Sequence, residues 1–201
     1  MQNIEKDLLG KSTVNRRKAV AYIQKNLLSE YSNLLLEALN IEEGKSHRET
    51  EELIIETLGF VGNEDSKVKI KKDYIEKGFF LLSSTKAYIR LNRKSIEDVK
   101  DVIEALESKN YSRMEGALEV LGYDKIIPSL DNQEKIIKLC WSFGKDREKG
   151  FTDPRYGLAA ACAGWVSENV KPFLENCILS NDTPLIYVAK NSLKKKYVKL
   201  R

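Results

Sequence analysis

The chain has 201 residues, of which 42% are hydrophobic and 32% are charged, and its formal net charge is +4. This size allows one or at most two domains with a sizeable core. Cys140, Cys162 and Cys177 form no paired motif, which argues against a secreted disulfide scaffold. The N-terminus is unlike a signal peptide and no apolar run approaches ~18 residues, so we expect a cytoplasmic protein without membrane contact.

The positive charge is concentrated at the C-terminus. Six of the 34 basic residues and none of the 30 acidic residues lie between Lys190 and Arg201. The rest of the chain therefore carries 28 basic against 30 acidic residues and is nearly neutral. A nucleic-acid-binding protein normally spreads basic charge over a broad surface, so this distribution favours one only weakly.

Helical periodicity recurs along the first half of the chain, and strand alternation is nearly lacking. The first clear helix spans residues 12 to 28, with Ser12 or Thr13 as its cap, and an apolar cluster follows at residues 34 to 39. Ser46 and Glu49 have the spacing of a capping box and predict the start of a helix that Gly59 closes. An apolar helical stretch with Gly78 inside it follows at residues 74 to 82.

A second capping box is predicted at Ser95 and Asp98, where it would open an amphipathic helix. The apolar positions of this helix follow the i, i+3, i+4, i+7 rule. They are Ile96, Val99, Val102, Ile103 and Leu106.

Shorter helices are predicted at residues 112–122, 132–143, 153–165, 170–179 and from Thr183 onward. Residues 153 to 165 are the most informative, because an acidic cap and Pro154 precede an alanine-dense run that must pack close to its neighbours. We expect nine to eleven helices joined by short loops. The sequence predicts an all-α protein with a single domain over residues 1–201 and a basic end at residues 190–201.

Three segments repeat the same order of residue types: residues 112–122, 153–164 and 182–193. The last two begin at Asp153 and Asp182, and a period of ~30 to 45 residues with two helices per unit is typical of α-solenoids. Asp153-Pro154-Arg155 with Ala159 to Gly164, and Ile127 to Leu130, resemble the HEAT/armadillo-like repeat family, best over residues 110–200. The resemblance implies a right-handed α-solenoid of stacked antiparallel helix pairs; the alternative is an irregular helical bundle.

No pattern of catalytic residues emerges. Residues 43 to 46 contain the Gly-Lys-Ser end of a phosphate loop, but Leu39 stands where that loop needs a glycine, and helical sequence precedes it. His47 is the only histidine, so an ordinary zinc site or catalytic triad cannot form with the scattered cysteines. The carboxylates lie on the polar faces of predicted helices rather than opposed in a cleft. We expect no enzyme activity, metal or cofactor.

The two tryptophans have different predicted positions. Trp165 falls within an apolar stripe and is expected in the core. Trp141 lies at the side of its stripe, and an exposed tryptophan beside Arg147, Arg155 and Tyr156 would form a partner-binding hot spot. The alternative is a tryptophan covered by the adjoining helix.

Nucleic-acid binding is the second functional hypothesis. Basic groups occur at residues 16–18, 67–77 and 90–94 and in the C-terminal tail. The tail supplies the candidate nucleic-acid-binding residues Lys194, Lys195, Lys196 and Lys199. HEAT-like DNA alkylation repair glycosylases use a basic concave surface with tryptophans and an aspartate near the lesion, which Trp141, Asp146, Arg147 and Trp165 resemble.

The leading hypothesis is a non-enzymatic helical-repeat module that binds another protein through the second helices of its pairs. It would act as a scaffold, a complex subunit or a bacterial immunity-type inhibitor. Recognition along such a surface needs no special chemistry.

Overall fold

The computed structural model describes residues 3–141, 143 and 153–199, and these residues form an all-α protein without a strand. The all-α prediction is therefore confirmed. By the packing of its backbone the chain divides into two compact units, the N-terminal unit Met1–Asn92 and the C-terminal unit Arg93–Arg201. The single-domain organisation stays a prediction.

Six α-helices and two short helical turns make up the described part of the N-terminal unit. The Ser12 side chain accepts a hydrogen bond from the Asn15 backbone N–H and so caps the second helix, as predicted. The helices are α1 (Ile4–Leu9), α2 (Thr13–Asn26), α3 (Ser32–Glu42), α4 (Arg48–Val61), α5 (Glu64–Lys69) and α6 (Leu81–Asn92), with a 3-10 turn at Ser29–Tyr31 and a π-helix at Ile70–Ile75.

The predicted boundaries of α4 are wrong at both ends. The helix begins at Arg48 after His47, which makes no side-chain cap, so the Ser46 capping box does not form. At the other end α4 continues past Gly59 to Val61. A Cβ on Gly59 would lie 2.7 Å from the Ala87 Cα, so this glycine allows the close approach of α4 and α6 rather than closing the helix.

The predicted helical stretch at residues 74–82 is divided. The π-helix Ile70–Ile75 is followed by a bend in which Gly78 and Phe80 have left-handed backbone angles, with φ of +78° and +46°. A bulky residue seldom adopts such a φ. The apolar pattern alone does not reveal this break, because it continues across the bend.

Six α-helices also lie in the described part of the C-terminal unit. Asn110 and Asp182 cap two of them by accepting hydrogen bonds from the backbone N–H groups of Arg113 and Leu185. The helices are α7 (Lys100–Glu107), α8 (Tyr111–Tyr123), α9 (Leu130–Cys140), α10 (Arg155–Ala161), α11 (Val170–Ile178) and α12 (Thr183–Leu193), and a 3-10 turn at Cys162–Gly164 follows α10.

The Ser95 capping box does not form either. Helix α7 begins only at Lys100, and the Asp98 carboxylate instead accepts hydrogen bonds from the backbone N–H groups of Lys94 and Lys100. Ile96 therefore lies before the helix and is 61% exposed. Val99, Val102 and Leu106 are buried as predicted.

Helix α10 is surrounded by packed side chains, as its alanine-rich sequence predicts. Ala159, Ala160 and Ala161 are buried, and α10 packs against α8, α11 and α12. A Cβ on Gly157 would lie 2.7 Å from the Glu119 backbone nitrogen and closer still to the Leu118 carbonyl. The helix is shorter than predicted, since it gives way to the 3-10 turn before Trp165.

Helices pack in an alternating order within each unit. In the N-terminal unit α2, α4 and α6 pack in succession, and so do α1, α3 and α5. In the C-terminal unit α8, α10 and α12 pack in succession, and α7 packs against α9. Consecutive helices such as α1 and α2, α3 and α4, or α11 and α12 also pack against each other.

Within residues 3–141, 143 and 153–199, no helix is long and apolar enough to cross a bilayer.

Candidate partner-binding surface

Trp141 follows the last residue of α9 and is 37% exposed. Its ring centroid lies 6.1 Å from that of Phe173 on α11, with the ring planes tilted by 55°. This is a favourable aromatic contact that fixes one side of the indole. The sequence left open whether Trp141 is exposed or covered by the adjoining helix, and the structure combines the two. Helix α11 covers one side of the indole, and the rest of the side chain is exposed to solvent.

The exposed side of Trp141 borders a surface groove of about 520 Å³. Ile137 and Lys138 precede Trp141 by one helical turn and lie along the same face of α9, which is why they join it. Asn169, just before α11, also lines the groove. The groove thus combines a partly exposed tryptophan with polar and charged side chains, a combination found at protein-binding sites.

The charged groups along this groove, here called the Trp141 groove, differ in their partners. Lys135 forms an ion pair of 2.9 Å with Glu107, and the Asn169 amide donates a hydrogen bond to Glu134. Lys138 is exposed and has no ion-pair partner among the described residues. Among the described residues, Lys138 is therefore a cation without an ion pair beside the tryptophan.

Arg155, predicted as a partner-binding residue, is buried. Its guanidinium donates to the Asp153 carboxylate at 2.7 Å and to the Asn176 side chain at 3.0 Å. The hydrogen bond that Arg155 donates to the Asp153 carboxylate raises the pKa of Arg155 above its ordinary value. The Asp153 carboxylate also accepts from the Arg155 backbone N–H, so this pair fixes the start of α10 and is turned away from solvent.

The other two predicted partner-binding residues, Tyr156 and Arg147, are not placed at the groove by the described part of the structure. Tyr156 is half-buried on α10 and is not free of contacts. Arg147, together with Asp146 of the glycosylase comparison, lies outside the described residues. Of the four predicted residues, Trp141 is the one that the structure places at a groove.

Trp165 is completely buried, as predicted, and its indole N–H donates to the Ile126 carbonyl at 2.8 Å. The carbonyl of Trp165 in turn accepts a hydrogen bond of 2.6 Å from Lys195. Lys195 is therefore tied to the fold by this hydrogen bond, and all four lysines, Lys194, Lys195, Lys196 and Lys199, are exposed.

The basic group at residues 16–18 is also smaller than the sequence suggests. Arg16 is buried and forms an ion pair with the buried Glu42, while its guanidinium also donates to the Leu8 and Gly10 carbonyls. Its charge is compensated by Glu42 inside the N-terminal unit and does not contribute to a basic surface.

The three cysteines are buried and reduced. Burial raises the pKa of Cys140 and Cys162 well above the ordinary value and that of Cys177 to about 12. A thiol in this state is a poor nucleophile. Within the described ranges, histidine, cysteine, aspartate and glutamate side chains form no group of three that could hold a metal ion.

Sequence reasoning missed the other residues of the Trp141 groove. Ile137 and Lys138 could have been found, since they stand four and three residues before Trp141 on a predicted helix. Asn169 and Phe173 could not, because only the tertiary packing brings them to α9.

The chain was also compared with known proteins. No family model and no curated protein matches it.

Proposed function

We propose that the protein is a non-enzymatic, cytoplasmic helical-repeat module that binds another protein through the Trp141 groove. The observation that carries the proposal is the half-exposed tryptophan fixed against Phe173 at the edge of a groove. Tryptophan is enriched among residues that dominate binding energy, and a rigidly held ring loses little entropy on binding.

The repeat architecture is proposed as a right-handed α-solenoid. Its support is the alternating packing order, in which α8, α10 and α12 follow one another and α7 packs against α9. Stacked helix pairs produce this order, since each pair contacts only its neighbours. The same alternation in the N-terminal unit extends the proposal to residues for which the sequence resemblance is weak.

The sequence hypothesis placed partner binding on the second helices of the pairs, and the present proposal places it on a first helix. Helix α10, a second helix, is buried almost throughout and offers no continuous face. The groove instead follows α9, a first helix, so recognition is assigned there.

The groove also limits the chemistry of the partner. An apolar side chain would cover the exposed face of Trp141, and a carboxylate beside it would pair with Lys138. We expect a protein segment that presents an apolar anchor and an acidic residue close together. A scaffold partner, a larger complex and a neutralised toxin would all meet this requirement.

Affinity capture from the native host tests the proposal. The wild-type chain and the Leu179→Ala control, which truncates a highly exposed leucine at the end of α11, should retain the same protein. Trp141→Ala and Lys138→Glu should lose it while their circular dichroism spectra stay unchanged. Retention by all four chains would contradict the proposal, and capture of nucleic acid instead of protein would favour the second hypothesis.

A further inference from the structure

The N-terminal unit contains a pocket of about 700 Å³ that the proposed function does not use. The loop between α3 and α4, the first turn of α4, and the bend after the π-helix Ile70–Ile75 form its walls. A concave site with an apolar wall and a few converging polar groups is the usual form of a small-molecule site.

An aromatic wall lies on one side of this pocket. Phe80 packs against Tyr74 with the ring centroids 6.2 Å apart, while Phe79 is left 57% exposed. The left-handed φ of Phe80 and the preceding π-helix produce this arrangement. Strained backbone and π-turns of this kind concentrate at functional sites.

Two uncompensated cations lie at the rim. Lys69 pairs with both Glu43, which also lines the pocket, at 3.4 Å and Asp73 at 3.2 Å, and Lys77 pairs with Asp73 at 2.7 Å, so these charges are already compensated. Lys45 and Arg48 are exposed and have no carboxylate partner among the residues that the structure describes. The rim therefore has room for one anionic group.

A buried acceptor also lines the pocket. Glu51 is 6% exposed, and one of its carboxylate oxygens accepts a hydrogen bond of 3.0 Å from the Tyr74 hydroxyl. Burial raises the pKa of Glu51 above its ordinary value. A hydrogen-bond donor on a ligand would be a favourable partner for this desolvated carboxyl group.

We propose that this pocket binds a small aromatic anion that also carries a hydroxyl or N–H donor. The anionic head would pair with Lys45 and Arg48, the ring would lie on Phe79, and the donor would reach Glu51. The head is a carboxylate or a phosphate, since both fit a guanidinium beside an ammonium. This proposal is independent of the Trp141 groove, which lies in the other unit.

Protein NMR with four matched probes tests the proposal on the full chain. 4-Hydroxyphenylacetate and phenyl phosphate carry the two candidate head groups. Tyramine keeps the ring and hydroxyl but reverses the charge, and phenylacetate lacks the donor. At least one of the two head-group probes should shift the amide signals of residues 45–51 and 73–80 with a Kd below about 1 mM.

The comparisons between probes decide the outcome. 4-Hydroxyphenylacetate should bind more tightly than both tyramine and phenylacetate. Phenylacetate and phenyl phosphate both lack the donor, so the tighter of these two identifies the preferred anion. If neither head-group probe shifts these amides, or tyramine binds as tightly as 4-hydroxyphenylacetate, the pocket is not an anion site. Equal binding of phenylacetate would overturn the role of Glu51 as acceptor.

Charge reversal provides a second readout. Lys45→Glu combined with Arg48→Glu should weaken binding of the tighter head-group probe by about tenfold or more, because two charge-assisted hydrogen bonds are replaced by repulsion between like charges. Lys25→Glu, an exposed lysine on α2 outside the pocket, is the matched control and should bind as the wild type does. Unchanged binding by the folded double variant would overturn the proposal.

Discussion

At the scale of single residues, two adjacent arginines have opposite environments. Arg16 and its partner Glu42 are buried, whereas Arg17 and its partner Glu49 are largely exposed with an ion-pair distance of 3.0 Å. A buried ion that loses its partner has no water to replace it, while an exposed ion does. The neighbouring positions therefore form a matched pair for mutation.

Replacement of Arg16 should destabilise the N-terminal unit strongly. Arg16→Met leaves the buried Glu42 carboxylate with the exposed His47 ring at 3.2 Å as its remaining side-chain partner and should lower the free energy of unfolding by about 3 kcal/mol. Arg17→Met removes an exposed pair and should cost less than about 1 kcal/mol. Urea unfolding of the two variants measures both values, and equal losses would show that the Arg16 pair contributes no more than a surface pair.

The contributions of Glu51 and Asp73 to the free energy of unfolding should change in opposite directions as pH rises. Burial raises the pKa of Glu51 in the folded state, so its contribution becomes less favourable as pH rises from the ordinary value of 4.5 through the folded value. Hydrogen bonds from Lys77 and Lys69 lower the pKa of Asp73, so its contribution is lost as pH falls through the folded value. Glu51→Gln keeps an acceptor for Tyr74, and Asp73→Asn is its matched counterpart.

Unfolding free energies at about pH 4 and about pH 8 measure this difference. Relative to Glu51→Gln, the wild type should lose stability between the lower and the higher pH. Relative to Asp73→Asn, the wild type should be at least as stable at about pH 8 as it is at about pH 4. The contribution of Asp73 is lost only when pH falls toward the lowered pKa of its carboxyl group. A wild type that gains on Glu51→Gln as pH rises would show that the buried carboxyl group is better solvated than its position indicates.

At the scale of helices, the packing of α10 requires small side chains even where helix propensity would favour a larger one. A glycine inside a helix usually costs ~1 kcal/mol relative to alanine. At Gly157 the backbone of α8 occupies the space that a Cβ would need. Packing therefore overrides helix propensity at this position.

Enlarging the small residues of α10 should destabilise the C-terminal unit. Gly157→Ala should lower stability despite its gain in propensity, and Ala160→Leu should cost ~1–3 kcal/mol through overpacking. Ala21→Leu, at an exposed alanine of α2, is the matched control and should change little. Thermal unfolding measures all three, and a stabilised Gly157→Ala variant would show that α8 can move away.

The sequence was most informative where a helix signal is local. Ser12 caps its helix through a group three residues away, and its predicted role was confirmed. The predicted start of the last helix at Thr183 was also confirmed, with Asp182 as its cap. The boxes at Ser46 and Ser95 have equally good spacing but do not form, because the helices begin later. The burial of Arg16 depends on Leu8, Gly10 and Glu42, and no local pattern joins these residues.

The Trp141 groove was predictable only in part. The partial exposure of Trp141 follows from its place beside the apolar stripe of α9. Arg155 was expected beside it, but Asp153 and Asn176 hold its guanidinium inside the unit. The groove itself depends on Asn169 and Phe173, which come from a different part of the chain.

At the scale of the whole molecule, the charge distribution separates the two functional hypotheses. If the protein binds a protein partner, its DNA affinity should come mainly from the C-terminal lysines. The substitution of Lys194, Lys196 and Lys199 by Gln reduces the net charge from +4 to +1 and leaves α12, which ends at Leu193, intact.

This variant should lose nearly all retention on duplex DNA at ~0.15 M salt, because it has lost the lysines expected to neutralise phosphates. Each neutralised phosphate contributes about −0.9 to the slope of log affinity against log salt concentration, so the slope should also become shallower. Fluorescence anisotropy at several salt concentrations measures the slope for both chains. Micromolar binding by the substituted chain with a multi-phosphate slope would place a basic groove elsewhere and favour the nucleic-acid hypothesis.

Iodide quenching of tryptophan fluorescence tests the central claim most directly. Trp141 is partly exposed and Trp165 is completely buried, so iodide should quench only the Trp141 component in the free protein. Addition of the captured partner should remove this quenching, because the partner covers the groove. If the partner binds while Trp141 stays as accessible to iodide as before, the Trp141 groove is not the binding surface.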